Sequence, residues 1–388
     1  MKQEKMYQFM PLFESNEVSN YRIPSLVITM HGTVIAFCND RRNDIGDRSP
    51  EHWVCCRRCE VSKEFEDTVV IFGRPDWSCM LGAAFYDAQK DKILCLFSRK
   101  PNSPAAIAAY EALPESERPS VGFCIAESVD DGKTFIVRDV DIAPNAEGQR
   151  GSTHGSAAGI QLKHGPYAGR LIASGRYHVE PQNSKEDFEN KDRLRTSHWN
   201  CSVYSDDHGQ TWHTGGRVQT GTGEGALMEL CDGRIVLNSR AYFNDGRRRV
   251  AWSSDGGITF GSFQLANDLT EIAGGVNAAM VTAKLPDESE ICVYTSVNNR
   301  RQQLIDRDFT WQNPRRNVSA WVSYDGGMTW PHVRTIYAGP SAYNSLAFDE
   351  VRNRFAMLIE YGFEGETCYQ RGIGIAFFTP DWLLAEQV

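Results

Sequence analysis

No stretch of this 388-residue sequence approaches the ~20 consecutive apolar residues that a membrane-spanning helix needs. An apolar segment is also missing behind the first residues, so we predict no secretory leader, no membrane segment and a cytoplasmic location. Basic tracts are missing as well, since 41 Lys and Arg stand against 50 Asp and Glu, a net charge of −9 at pH 7. Because phosphate contacts need clustered Lys and Arg, we expect no nucleic-acid partner.

Paired cysteine spacings are missing among the 11 cysteines, whose number is odd. Cys55, Cys56 and Cys59 form one local cluster, but no second cluster or His pair at metal-ligand spacing accompanies it. Reduced, buried thiols fit this pattern better than a disulfide framework or a zinc site, in agreement with a reducing compartment. We therefore predict no metal site.

Short apolar runs are abundant, and each is bounded by Gly, Asp, Asn or Pro, a pattern typical of β-strands joined by turns. Examples are residues 33–37, 93–97, 234–237 and 355–359. Inside the body of the chain, residues 104–113 have a helical composition, and residues 180–195 are predicted to form a long polar loop. No Gly-, Ser- or Pro-rich linker divides the sequence, so we predict one domain over residues 1–388.

Four octets follow one pattern, Ser-x-Asp-x-Gly-x-Thr-aromatic, at residues 128–135, 205–212, 253–260 and 323–330. The aspartate can accept hydrogen bonds from the turn and from the Ser or Thr hydroxyl, while glycine takes the positive-φ position. We interpret each octet as a structural hairpin turn without a catalytic role. Their aspartates lie 48 to 77 residues apart, about one four-stranded sheet with its loops, so we predict an all-β, six-bladed β-propeller.

The octets resemble the Asp boxes of the sialidase (neuraminidase) family, and the resemblance covers nearly the whole chain. Three further stretches are similar to motifs of that family: Tyr21-Arg22-Ile23-Pro24, Leu237-Asn238-Ser239-Arg240 and Ala342-Tyr343-Asn344-Ser345-Leu346. The resemblance implies an exo-α-sialidase, a glycoside hydrolase acting on a sialylated glycan or sialoside. It also implies retention through a covalent tyrosyl intermediate, with no cofactor.

Sialidases hold the carboxylate of sialic acid with three arginines from different blades. Matching the motifs implies Arg22 and Arg240 for two of these positions and Arg315 for the third. Guanidinium groups suit this task because they are permanently charged and bind a carboxylate in a bidentate geometry that lysine cannot offer. Three other residues stay open as alternatives for the third position: Arg316, Arg300 and Arg301.

Tyr343 matches the nucleophile of the family. A carboxylate nucleophile would meet the substrate's own carboxylate at the anomeric carbon, where like charges repel, and a neutral phenol avoids this repulsion. Because a phenol is a weak nucleophile near neutral pH, it needs an adjacent base. Glu229 is similar to the glutamate that takes the tyrosine proton, and Glu360 resembles the glutamate that orients the first arginine, Arg22.

The acid/base carboxylate of the family lies on a loop after the inner strands of the first blade, which corresponds here to residues 39–51. Asp47 and Asp44 are both candidates. We favour Asp47, because Asp47 and Glu51 keep the spacing to the following strand and a general acid must reach the leaving oxygen. Arg41, early in this loop, matches a substrate-binding arginine.

Three other functions stay open beside hydrolysis of sialosides. The same site could act on a related nonulosonic acid of the KDN type. It could also transfer sialic acid to a sugar acceptor or to the substrate's own hydroxyl. A non-catalytic Asp-box propeller that only binds glycans is the third, since a fold does not determine a function. The sequence predicts no particular linkage preference or oligomeric state.

Overall fold

Antiparallel strands make up most of the regular structure, as the short apolar runs predict. The computed structural model describes residues 6–47, 49–59, 64–118, 121–153, 158–178, 197–243, 245–299 and 315–386, so the predicted loop at residues 180–195 lies outside the described residues. Within these ranges the strands are, in chain order, β1 (Tyr7–Glu14), β2 (Ser19–Ile28), β3 (Val34–Arg42), β4 (Glu51–Arg58), β5 (Val69–Phe72), β6 (Trp77–Asp87), β7 (Lys92–Pro101), β8 (Gly122–Ser128), β9 (Ile136–Asp139), β10 (Ile142–Ala143), β11 (Ser152–Thr153), β12 (Ile160–Gln161), β13 (Leu171–His178), β14 (His198–Ser205), β15 (Trp212–Thr220), β16 (Thr222–Glu229), β17 (Ile235–Ala241), β18 (Arg248–Ser253), β19 (Gln264–Ala266), β20 (Ala279–Lys284), β21 (Glu290–Val297), β22 (Arg316–Ser323), β23 (His332–Asp349), β24 (Arg354–Tyr361) and β25 (Gly372–Phe378). The helices are α1 (Pro104–Ala112), where the sequence predicts one, and α2 (Pro380–Leu384), and single 3₁₀ turns lie at Glu115–Glu117 and Gly165–Tyr167.

The strands form five hydrogen-bonded sheets. Three of them have four strands each, in the orders β2-β3-β4-β5, β6-β7-β8-β9 and β16-β17-β18-β19. A sheet of six strands has the order β10-β15-β14-β13-β11, with β12 also beside β13, and a sheet of seven runs β1-β25-β24-β23-β22-β21-β20. Because β1 pairs with β25, with Tyr7 opposite Phe378, the first strand of the chain completes a sheet built from the last ones. The all-β class and a propeller-like arrangement are therefore confirmed.

The number of separate blades differs from the prediction. Four sheets are separate blade-like units, but the fifth continues over seven strands. The cause is β23, which runs for 18 residues. Its first part pairs with β22 up to Pro340, opposite Arg316, and its second part pairs with β24 from Ser341, opposite Tyr361. The prediction of a six-bladed propeller is therefore wrong: four sheets are separate blades, and the remaining two four-strand groups share one continuous strand.

The hydrophobic core lies between neighbouring sheets. One cluster joins Trp53 on β4 to Phe97 on β7, with ring centroids 5.6 Å apart. Another joins Phe85 on β6 to Trp212 on β15, with centroids 5.1 Å apart. A strand packed in this way is covered on both faces, and β17 is buried at all seven of its positions. Polar residues on such a strand are therefore buried too, and they need partners within the protein.

The repeated octets form turns that their own side chains close, as predicted. In the second octet, Asp207 accepts hydrogen bonds from the Ser205 hydroxyl at 2.8 Å and from the N–H and hydroxyl of Thr211 at 2.9 and 2.7 Å. Gly209 has a φ of +82° and donates its N–H to the Ser205 hydroxyl, while Trp212 is buried between sheets. The same contacts occur at the aspartates of the other octets: Asp130, Asp255 and Asp325.

All 11 cysteines are free thiols. Cys55 and Cys56 are buried, and burial raises the pKa of Cys55 to about 12, so that this thiol stays protonated. Across the described ranges, no group of His, Cys, Asp and Glu has the arrangement of a metal site. In the same part of the chain, no helix is both long and apolar enough to cross a membrane.

The substitution Asp207→Ala tests the structural role of the octets. It removes the acceptor of three donor groups, and we expect the free energy of unfolding to fall by about 1–3 kcal/mol because these turn donors lose their partner. Chemical denaturation measures this loss. The control is Asp287→Ala, since Asp287 accepts hydrogen bonds from Ser289 in an exposed turn, and its loss should stay below about 0.5 kcal/mol. Equal losses in the two variants would contradict the structural role.

Candidate active site

Tyr343 lies within a buried cluster of three arginines. Arg22 on β2 places its guanidinium carbon 5.6 Å from the centroid of the Tyr343 ring, and Arg315, just before β22, places its own at 5.3 Å. Arg240 on β17 donates from Nη1 to the Tyr343 hydroxyl at 2.8 Å. All four side chains belong to residues that are only 5–6% exposed. The structure thus brings together, from three different sheets, the tyrosine and the arginines that the motifs selected.

The alternatives to Arg315 are placed differently. Arg316, although adjacent in sequence, extends to the surface and pairs with Glu364, with Nη2 and Oε2 at 3.0 Å. Arg300 and Arg301 lie outside the described residues. Among the described candidates for the third arginine, Arg315 is therefore the one that reaches Tyr343.

Glu360 is fully buried on β24 and links three strands of the site. Its Oε1 accepts hydrogen bonds from Arg22 Nε at 2.7 Å and from the Ile23 N–H at 2.8 Å. Its Oε2 accepts the Tyr343 N–H at 3.2 Å. Ile23 has a φ of +59°, an unfavourable conformation for a β-branched residue, and its bond to Glu360 helps to hold it there. Glu360 therefore lies where an orienting partner of Arg22 is expected.

The acidic partner of Tyr343 is Glu224, on β16. The Tyr343 hydroxyl donates to Glu224 Oε1 at 2.7 Å, and Arg240 Nη1 lies 2.7 Å from Glu224 Oε2. Burial raises the pKa of the Tyr343 phenol, the charges of Arg240 and Arg315 oppose this, and Glu224 raises the pKa again. Since the resulting pKa lies above the ordinary value, the phenol is protonated at neutral pH and donates to the carboxylate.

Glu229 lies at the far end of β16. Its carboxylate accepts the backbone N–H groups of Lys163 at 2.6 Å and His164 at 2.9 Å, which ties β16 to the preceding sheet. Glu229 lies five residues along the strand from Glu224, a span of about 16 Å. This is too far for Glu229 to reach Tyr343, which Glu224 binds. The prediction that Glu229 takes the Tyr343 proton is therefore wrong.

Two glycines explain how β16 carries Glu224 to the tyrosine. A Cβ atom on Gly223 would lie 2.2 Å from the Tyr242 hydroxyl, and one on Gly225 would lie 2.4 Å from Asn200 Oδ1. Neither contact is possible for real atoms, so the strand approaches its neighbours closely only because both positions lack a side chain. A glutamate between two glycines at the start of a buried strand is thus the sequence signal that identifies this residue.

Arg41 joins two carboxylates at the loop between β3 and β4. Its Nη1 lies 2.8 Å from Asp47 Oδ1 and donates to the Ile45 carbonyl at 2.8 Å, and its Nε lies 3.1 Å from Glu51 Oε1. Partial desolvation raises the pKa of Asp47, but the charges of Arg41 and Arg22 outweigh it and hold that pKa below its ordinary value. The Asp47 side chain is 67% exposed, so it combines access to solvent with a place beside the arginine cluster.

Asp44, the alternative to Asp47, bonds to its own loop. Its Oδ1 accepts the Gly46 N–H at 3.1 Å, and the residue is exposed. The geometry therefore favours Asp47 over Asp44 as the loop carboxylate of the site.

Glu51, the buried carboxylate that pairs with Arg41, is only 4% exposed. Burial raises its pKa to about 7, the charge of Arg41 lowers it, and the charge of Asp47 raises it again. Glu51 therefore gains or loses a proton near neutral pH, a property that the spacing argument did not predict.

Comparison with known proteins places these features in a family. A family profile described as a BNR repeat-like domain matches residues 63–359. The sialidase of Micromonospora viridifaciens is 29% identical over 332 residues, which are 84% of this chain and 48% of the relative. Sialidase-4 of Mus musculus is 28% identical over 286 residues, 70% of this chain and 55% of the relative. This chain thus spans about half the length of these curated relatives.

Solved structures share the fold. The Hadza microbial sialidase Hz136 superimposes with a TM-score of 0.69 at 20% identity, covering 94% of this chain and 66% of that one. The intramolecular trans-sialidase from Ruminococcus gnavus, in complex with oseltamivir carboxylate, gives a TM-score of 0.72 at 14% identity, covering 97% and 98%. At such identities the likeness concerns the fold.

The raised pKa of Glu51 predicts a pH-dependent stability. A folded-state pKa of about 7 favours the protonated form, so the stabilisation is complete below the unfolded-state pKa and is lost as pH rises through 7. Glu51→Gln lacks this dependence. Between about pH 5 and about pH 8, the original protein should lose about 2–3 kcal/mol of its free energy of unfolding that Glu51→Gln does not lose.

Urea denaturation of both proteins at several pH values provides the measurement. The control is Glu66→Gln, which removes a carboxylate that also pairs with an arginine, Arg57, but is 43% exposed. The difference in free energy of unfolding between Glu66→Gln and the original protein should change far less over the same pH range. A constant difference between Glu51→Gln and the original protein at all pH values would contradict the assigned pKa.

Proposed function

This chain belongs to the sialidase family, with a BNR repeat-like domain over residues 63–359, and from this premise we propose that it is an exo-sialidase. It would hydrolyse the terminal α-ketosidic bond of a sialylated glycan or sialoside with retention of configuration. The observation that carries this proposal is the buried cluster in which Arg22, Arg240 and Arg315 surround Tyr343 while Glu224 accepts its hydrogen bond.

Binding of the sugar carboxylate is the first part of the proposal. The guanidinium groups of Arg22, Arg240 and Arg315 carry a permanent positive charge, and they approach Tyr343 from different parts of the chain. A guanidinium group offers paired N–H donors that match a carboxylate, and burial strengthens these bonds relative to water. An anionic sugar whose carboxylate sits on the anomeric carbon would therefore be held with that carbon beside the Tyr343 oxygen.

In the first displacement, the Tyr343 oxygen attacks the anomeric carbon and its proton passes to Glu224. The hydrogen bond of 2.7 Å between these groups is already in place. Because the phenol pKa is raised, transfer of the proton accompanies the attack and does not precede it. The glycosidic C–O bond breaks as the new C–O bond forms, and the leaving oxygen takes a proton from Asp47.

Asp47 must carry a proton to act as this acid, although Arg41 and Arg22 lower its pKa in the free protein. A bound substrate changes this balance. The substrate carboxylate offsets the charge of Arg22, and the sugar shields the exposed Asp47 from water. Both effects raise the pKa of Asp47, so binding of the substrate itself favours the acid form.

In the second displacement, Asp47 takes a proton from water, the hydroxide attacks the anomeric carbon from the leaving-group side, and the Tyr343 oxygen regains its proton from Glu224. Two inversions give net retention. A sugar hydroxyl, or a hydroxyl of the bound sugar, could replace water in this step without another change. Transfer therefore remains the alternative outcome of the same chemistry.

Proton NMR of the products from one α-linked sialoside tests the proposed function. Hydrolysis with retention releases the α-anomer of the free acid first, whereas transfer gives a new glycoside or an internal anhydride. Parallel assays with the matching KDN glycoside establish which acid is preferred. Absence of any turnover, with binding retained, would favour a glycan-binding protein over an enzyme.

Substitution of the two glutamates of β16 tests the roles within the site. We expect Glu224→Gln to lower kcat by at least about 100-fold, because the amide cannot accept the proton of Tyr343. Glu229→Gln is the matched control on the same strand and should leave kcat and KM within about twofold, since Glu229 bonds to Lys163 and His164. Steady-state kinetics on a fluorogenic sialoside measures both. A larger loss in Glu229→Gln than in Glu224→Gln would reverse the assignment.

A further inference from the structure

The turn between β19 and β20 places two carbonyl groups against the arginine cluster. The Gly274 carbonyl accepts hydrogen bonds from Arg240 Nε at 3.1 Å and Nη2 at 2.9 Å, and the Gly275 carbonyl accepts one from Arg315 Nη2 at 3.4 Å. Both glycines have positive φ, +73° and +66°. A Cβ atom on Gly275 would lie 2.6 Å from Arg240 Cγ. The backbone of this turn therefore contacts two of the three guanidinium groups directly.

Glu271 holds this turn from inside the protein. Its Oε2 accepts the N–H of Ala241, the residue after Arg240, at 3.1 Å. Its Oε1 accepts the N–H of Val276, the residue after Gly275, at 3.2 Å. One carboxylate thus fixes the backbone beside an arginine of the site and the backbone beside the carbonyl groups that the arginines bind.

Arg248, on β18, holds Glu271 in turn. Its Nη1 lies 2.6 Å from Glu271 Oε2 and donates to the Val276 carbonyl at 2.8 Å, and its Nε donates to Asn238 Oδ1 at 2.9 Å. The side chains of Arg248 and Glu271 are 0% and 2% exposed. The pair therefore lies beneath the turn and is almost completely buried.

Stability alone is a weak reason for such a pair. Removing two charges from water offsets most of their attraction, and apolar residues of similar size often stabilise a core equally well. The pair does fix the orientation of the surrounding backbone, because a guanidinium group and a carboxylate hydrogen-bond several backbone groups at once. Here the fixed groups belong to Ala241, which directly follows Arg240, and to Val276, which directly follows the Gly274-Gly275 turn.

We propose that Arg248 and Glu271 are positioning residues for the substrate carboxylate. They hold the Gly274-Gly275 turn so that Arg240 and Arg315 keep the spacing and orientation needed to bind one carboxylate together. This inference rests on the proposed function, since it takes the anionic group of the sugar as the ligand of those arginines. It assigns neither residue any contact with the substrate.

Arg248→Lys tests the proposal with little disturbance of charge. Lysine keeps a positive charge opposite Glu271, but it lacks the planar fork that reaches Glu271, Val276 and Asn238 in one geometry. Titration calorimetry gives the dissociation constants of sialic acid and of its C1 methyl ester. The ratio of the two constants reports how much the carboxylate contributes to binding.

We expect the original protein to bind the acid at least about tenfold more tightly than the ester. In Arg248→Lys this ratio should fall by about fivefold or more, while the affinity for the ester changes by less than about twofold. A general loss of structure would weaken both ligands alike, so the ratio separates positioning from stability.

Arg170→Lys is the matched control. Arg170 is also buried, contacts the Asp206 carboxylate at 2.7 and 2.9 Å, and donates to the carbonyl of a positive-φ glycine, Gly256, at 2.8 Å. This arrangement has the same kinds of contact, although the Asp206 side chain is 56% exposed, and it touches none of the arginines of the site. We expect a measurable loss of stability in denaturation experiments and an unchanged ratio of acid to ester binding.

A second pair of variants covers the case in which Arg248→Lys does not fold. Gly275→Ala introduces a Cβ atom 2.6 Å from Arg240 Cγ at a φ of +66°, and Gly256→Ala introduces one 2.6 Å from Tyr167 Cγ at a φ of +69°. The backbone strain is therefore the same. Only Gly275→Ala should lower the ratio of acid to ester binding.

Two results would overturn the proposal. One is a ratio that stays at its original value in folded Arg248→Lys or Gly275→Ala, and the other is an equal fall of the ratio in the control of either pair. Failure of the proposed function gives a different result. In that case the original protein itself binds acid and ester equally, or binds neither, before any substitution is made.

Discussion

Burial of three guanidinium groups around one phenol is the constraint on which the rest of this structure depends. A buried charge is costly unless it is paired and hydrogen-bonded. Arg22 has its partner, Glu360, 338 residues away in sequence, and Arg240 has Glu224 on the neighbouring strand. The cluster therefore exists only when the first and last sheets lie side by side, which is what the pairing of β1 with β25 achieves. Closure of the fold and formation of the site therefore depend on the same contacts between the two ends of the chain.

The sequence predicts the members of the cluster better than their pairing. Arg22, Arg240 and Tyr343 each lie in a local motif on a strand, and the structure brings these motifs together. The resemblance of its local sequence to the family motif points to Glu229, but whether a carboxylate reaches Tyr343 depends on how closely strands approach. That approach is visible only in the glycines on either side of Glu224. The sheet count failed for a similar reason, because nothing local at Pro340 reveals that β23 continues from one four-strand group into the next.

The charges around the site give its acidic groups different protonation states. Burial and Glu224 keep the Tyr343 phenol protonated, whereas Arg41 and Arg22 keep Asp47 ionised in the free protein. An anionic substrate would raise the pKa of both groups, since it offsets the same arginines. The protonated form of Asp47 is then favoured, as its proposed role as the acid requires, and a free phenolate is less accessible. The proposed attack of Tyr343 would then depend on a base already in hydrogen-bond contact, which is the place that Glu224 occupies.

Arg170 and Arg248 show how one local arrangement can serve different ends. Each is a buried arginine that donates hydrogen bonds to a carboxylate and to a backbone carbonyl. That carbonyl lies within or next to a turn that contains glycine. Around Arg170 the turn meets side chains of a neighbouring sheet, so the arrangement joins two sheets. Around Arg248 the turn meets Arg240 and Arg315, so any shift of its backbone moves the groups that would bind a substrate. The chemistry of the pair is therefore not what distinguishes a structural role from a functional one. The distinction lies in what the restrained backbone touches on its other side.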